Sequence, residues 1–178
     1  EFYHAIQFGY DVYEDRWWME STATWAENEI GPAWDAVDDN VGWVKYFLKY
    51  PDVSLDADYW YSHNYMDVLW PIYLQSHLDP DGSIIRDIWE MCESIGAIRA
   101  NDYIIQDYDG GGFQKVFKDF LVANYERDYP EASLYPMAYG VLRLNGSNYT
   151  YPTNLVTPVD RLPEGLGANY VRFLPVTT

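Results

Sequence analysis

Apolar residues recur every three or four positions through the first two-thirds of the chain, and this spacing predicts a run of helices. Phe2, Ala5, Ile6 and Gly9 keep it over residues 1 to about 10. "YDVYED" then supplies a turn with Asp15 as N-cap, and a second helix is expected from about Arg16 to Ile30, with Met19, Ala23, Ala26 and Ile30 on one face and Gly31-Pro32 as its stop. Val37, Val41, Val44 and Leu48 place a third helix within 34–48, ahead of Pro51.

"PDVSLDADYWYSHN" reads as a polar, aromatic loop. Residues 65–78 follow in a helical pattern that Pro71 should kink. Asp79-Pro80-Asp81-Gly82 is a turn, after which Ser83 caps a helix with Ile84, Ile88, Met91 and Ile95 inward and Gly96 at its end. Helices over roughly 97–106 and 113–125 flank "DYDGGG", read as a flexible connection.

The texture changes after Pro130. "MAYGVLRL" and "ANYVRFLPV" carry β-formers, separated by a stretch rich in Pro, Thr, Asn and Gly. The expected class is mainly α with a C-terminal β-rich segment: a helical domain over 1–132, then 133–178, which could open a β-sandwich.

A chain of 178 residues, 48% hydrophobic and 22% charged, can bury one sizeable core. Its net charge of −17 repels nucleic acid and anionic membrane. No apolar run reaches the about 18 residues of a membrane span, and no signal peptide is present, so the start reads as mature or clipped. Cys92 is alone and expected to be a buried thiol. Aromatic residues make up 19% of the chain, more than one core needs, which suggests an aromatic surface available for self-association or ligand contact.

The chain begins "EFYHAIQ". Glu1 and His4 are the last two defined positions of H-E-x-x-H, the helical motif in which two histidines bind zinc and the enclosed glutamate acts as base. A His ahead of Glu1 would complete it. The second helix, "RWWMESTATWAENE", places Glu20, Thr24 and Glu27 in one polar stripe on a helix otherwise packed with Trp and Ala. Carboxylates beside apolar neighbours need a partner or a metal.

Together "EFYHAIQ" and "WWMESTATWAE" resemble the two active-site helices of gluzincin metallopeptidases, and in particular a group of sparsely characterised secreted bacterial metalloprotease-like proteins whose motif reads H-E-F-x-H-A-I-Q. The similarity covers residues 1 to about 30 and, loosely, "LWPIYLQSHLDPDGSIIRDIWE". The helical part would then be the C-terminal part of a zincin-like catalytic domain, cut just after the first His. The resemblance implies His4 and Glu20 as zinc ligands, Glu1 as general base, and Glu27, with Thr24 beside it, as a group orienting the ligands. The expected reaction is zinc-dependent hydrolysis of a peptide or protein outside the cell. Zinc is conditional on the upstream His; without it the chain should bind metal weakly and be inactive alone.

An oxyanion donor is sought in "YWYSHNY", where His63 or Tyr65 could serve. His77 reads as a helix C-terminal capping residue. Asn145 and Asn148 each begin an N-glycosylation sequon, which suggests a surface loop carrying glycans. The alternative to a peptidase is a non-catalytic extracellular structural, filament or glycan-associated protein that keeps the same helices. The position of Glu20 separates the two: toward His4 in the first, toward Arg16 or solvent in the second.

Overall fold

The computed structural model describes residues 2–30, 36–58, 62–133, 146–148 and 163–173. Its order is α1 (Phe2–Gln7), α2 (Arg16–Ile30), α3 (Ala36–Lys49), α4 (His63–Met66), α5 (Leu69–Tyr73) running into a π-helical turn (Leu74–Leu78), α6 (Ser83–Cys92), α7 (Ala97–Tyr108), α8 (Gly112–Glu126) and a 3-10 turn (Pro130–Ser133). The protein is mainly helical. Within 133–178 the described residues include two short strands, β1 (Gly146–Asn148) and β2 (Val171–Phe173), paired in parallel with Gly146 opposite Val171. Ser133 and residues 163–170 are described and lie outside any strand; the remaining positions of the expected β-rich segment, Asn145 included, lie outside the described residues, and Asn148 enters as the last residue of β1.

The core is aromatic. Trp17, Trp18, Trp70, Trp89 and Phe120 are each at most 1% exposed, and Ile84, Ile85 and Ile88 of α6 pack among them. Trp18 stacks on Trp89, which ties α2 to α6. Trp70 meets Phe113, Phe117 and Phe120, tying α5 to α8, and donates its Nε1–H to Asn101 of α7 at 2.9 Å. Burying these rings contributes much hydrophobic stabilisation; the Trp70 and Trp89 N–H groups find acceptors, whereas those of Trp17 and Trp18 are buried without one among the described residues.

Pro71 acts upstream of itself. It cannot donate to the carbonyl of Asp67, and the helical segment breaks at Asp67-Val68, between α4 and α5. The turn at 79–82 closes with Gly82 N–H bonded to Asp79 O at 2.8 Å and Gly82 at φ 76°, a region glycine enters without strain. Ser83 is not the cap of α6. Gly82 holds that position, and the preceding Asp79 and Asp81 carboxylates accept the first-turn N–H groups of Ile84 and Ser83 at 2.7 and 3.0 Å.

The apolar face expected for α1 is turned outward, with Phe2 79% and Ile6 45% exposed. Gln7 is the buried residue of α1, because its amide satisfies three neighbours at once, as described below. Ile30, expected to face inward, is exposed as well, whereas Thr22 and Thr24 are buried. The link between α1 and α2 is held from a distance: buried Glu14 accepts N–H bonds from Asp15 at 2.7 Å and from Ala97 at 3.0 Å, capping α7. A carboxylate at a helix N-terminus is favoured by the helix dipole as well as the hydrogen bond.

Residues 163–170 return to the loop after α3. Ala168 N–H bonds Pro51 O, Leu55 N–H bonds Leu166 O, and the Glu164 carboxylate accepts the Ser54 N–H. Tyr170 donates its hydroxyl to Leu121 O of α8.

Candidate functional site

α1 and α2 bring His4 and Glu20 together across the short link. His4 Nε2 lies 3.4 Å from Glu20 Oε2, and Glu20 keeps only 14% of its side chain exposed. Arg16, the alternative partner for Glu20, makes no ion pair with it.

The other imidazole nitrogen fixes the protonation pattern. Gln7, one helical turn beyond His4, donates its amide N–H bonds to Met19 O at 2.8 Å and to Thr22 Oγ1 at 2.9 Å. Since Met19 O is an acceptor only, the amide nitrogen must face it, and the amide oxygen is left facing His4 Nδ1 at 2.6 Å. Nδ1 therefore carries a proton. Thr22 Oγ1 is itself held, donating to Trp18 O at 2.6 Å and accepting from Trp89 Nε1 at 3.2 Å. A chain of fully used hydrogen bonds thus runs from the Trp89 indole in the core to the imidazole.

The consequence is chemical. With the proton on Nδ1, a neutral His4 turns a lone pair toward a carboxylate 3.4 Å away. Two electron-pair donors so placed need a cation between them, either a second proton on the ring or a metal ion. Two bonds of about 2.0 to 2.1 Å meeting at a tetrahedral angle span about 3.3 Å, so the separation also suits a shared zinc ligand pair.

The pair opens into a cleft of about 380 Å³. One wall is α1 and α2, with His4, Glu20, Ala23, Thr24 and Glu27; the other is Trp43 of α3 and Tyr65 of α4, whose rings stack 5.4 Å apart. Thr24 spends its hydroxyl on Glu20 O at 2.8 Å. Glu27 lines the cleft but bonds neither His4 nor Glu20, so the orienting part expected of it is played by Gln7. Among the described residues there is no group of three or more His, Cys, Asp or Glu side chains set to hold a metal; Glu1 lies outside them.

Of the two candidate oxyanion donors, Tyr65 is in the cleft. His63 is not: it is wholly buried, 3.1 Å from the equally buried Asp67 and packed against Phe47. Two positions in sequence decide this, because α4 turns position 63 inward and position 65 toward the cleft. His77 stacks on Tyr73 at 4.3 Å and faces Asp128 at 3.5 Å, away from the site. The loop "DYDGGG" is pinned rather than loose, with Lys115 bonded to both Asp109 and Asp119.

Gln7, Thr22, Trp89 and Trp43 escaped the sequence reading. Gln7 alone left a signal, a polar residue three positions after His4 on the same helical face. Compared with protein-family models, with curated proteins and with solved structures, the chain matches none.

Proposed function

We propose that the cleft is the zinc site of an extracellular metallopeptidase, with His4 Nε2 and the Glu20 carboxylate as two of its protein ligands. The observation that carries this is the opposed pair: an imidazole locked as the Nδ1–H form by Gln7, its free nitrogen 3.4 Å from a largely buried carboxylate. Zinc held there would supply Lewis acidity toward a peptide carbonyl and toward water. Glu1, at the residue before α1, would accept the water proton, and Tyr65 on the facing wall would donate to the oxygen that gains charge. The third ligand of the H-E-x-x-H pattern belongs one turn ahead of His4, at the position preceding Glu1.

The test is zinc affinity by chelator competition in the wild type, His4→Ala and Glu20→Gln, together with hydrolysis of a mixed fluorogenic peptide pool with and without zinc. Weak binding that is lost in both variants, and greatly improved by a His placed before Glu1, supports the reading. Equal binding by all three proteins sinks it.

A second reading, a non-catalytic extracellular protein that associates through its surface, is favoured by one observation. Phe2, Ile6, Phe8, Val12 and Tyr13 are all exposed on α1 and the link that follows. Sedimentation equilibrium decides it: a monomer across the micromolar range removes its support.

A further inference from the structure

Glu27 is exposed at the cleft that holds His4 and Glu20, and it has no hydrogen-bond or ion-pair partner among the described residues, which leaves its carboxylate available to a ligand. Trp43 and Tyr65, stacked on each other with 26° between their planes, line the same cleft. Among the described lining residues there is no Lys or Arg, and the Thr24 hydroxyl is already committed to a backbone carbonyl. The described lining therefore combines the Glu27 carboxylate with aromatic rings and has no Lys or Arg to balance that carboxylate. In a chain of net charge −17 the surrounding field adds to this bias.

We infer that the Glu27 end of the cleft holds a basic side chain, Lys or Arg, of a peptide ligand, and that Glu27 sets this preference. Carboxylate and aromatic ring are the two groups that attract a guanidinium or ammonium, the first by charge and the second by its quadrupole. Position supports the assignment. Glu20 and Glu27 are two turns apart on α2, about 10 Å along the helix axis. An extended peptide advances about 3.3 Å per residue, so a basic residue one or two positions from the bond at His4 and Glu20 reaches Glu27 with its own length. The inference rests on the cleft being a peptide site, but its test requires neither zinc nor turnover.

The peptides acetyl-Gly-Arg-Gly-amide and acetyl-Gly-norleucine-Gly-amide would be titrated into the full chain, following the indole resonance of Trp43, assigned with Trp43→Phe. The arginine peptide should bind roughly tenfold tighter, with a preference that weakens at high salt. In Glu27→Gln, with its fold checked by circular dichroism, the preference should fall to about threefold or less. Equal affinity for the two peptides, no binding of either at millimolar concentration, or a preference untouched in Glu27→Gln would overturn the inference. Failure of the zinc reading appears separately, as metal affinity indifferent to His4 and Glu20.

Discussion

His4 Nδ1 and Gln7 Oε1 lie 2.6 Å apart, and that contact decides which nitrogen of the imidazole faces the cleft. Gln7 can hold it because its own amide nitrogen is fixed by Met19 O and Thr22 Oγ1. Replacing Gln7 by Ala frees the ring to rotate and to exchange tautomers. Zinc affinity should fall about 10- to 100-fold, the usual cost of losing an orienting partner. Nitrogen-15 shifts of the His4 ring in the metal-free protein, read at alkaline pH where the ring is neutral, would show the Nδ1–H form in the wild type and a mixture in Gln7→Ala. An unchanged ring spectrum would refute the lock.

The His63–Asp67 pair makes stability depend on pH in an unusual direction. Burial pushes the Asp67 carboxyl up to about 7, although His63 pulls it down; Asp56 adds to the rise. The unfolded carboxyl loses its proton near pH 4, so between about 4 and 7 the folded state binds the extra proton. The contribution of Asp67 is thus fully present below pH 4 and lost as pH rises through about 7. Urea denaturation of wild type and Asp67→Asn at pH 4.5, 6 and 7.5 should show the wild type losing ground to the variant, by an amount on the order of 2 kcal/mol. A difference constant across that range would be inconsistent with the buried pair.

Gly167 sits where no side chain fits. A Cβ there would stand 2.5 Å from Asp52 O, beside the bond from Ala168 N–H to Pro51 O. Gly167→Ala should separate residues 163–170 from the loop at 51–55 and cost about 1 to 3 kcal/mol. Hydrogen exchange is the direct measurement, with the amides of Leu55 and Ala168 expected to lose protection first. Zinc affinity should be unaffected, since neither segment touches the cleft.

Cys92 is buried at the end of α6, and burial, with Glu14 next in importance, drives its thiol well above the usual range. It should not react with an aromatic disulfide reagent at pH 8 in the folded protein. One equivalent should react once denaturant is added. Rapid labelling of the native protein would show that α6 and the Glu14 link open readily.

Much of the helical order could be read from periodicity. α2 begins and ends where its pattern does, and α6 keeps Ile84 and Ile88 inward as their spacing requires. Periodicity failed where a polar group outcompeted an apolar one. In α1 the three partners of the Gln7 amide outweigh burial of Phe2 and Ile6, which remain exposed. The choice between His63 and Tyr65 is not legible in the sequence, because a histidine and a tyrosine two positions apart in an aromatic loop give no sign of which side chain the chain turns inward.

The sequence by itself determined the helical texture, the placement of His4 on α1 and of Glu20, Thr24 and Glu27 along α2, and the solitary buried cysteine, because each depends on local spacing and side-chain chemistry. Only the tertiary structure decided that His4 meets Glu20, that Gln7 rather than Glu27 orients the imidazole, and that Trp43 and Tyr65 form the opposite wall. Those pairings join residues from different helices. They are set by how the aromatic core draws α2, α4 and α6 together, and no local pattern encodes that.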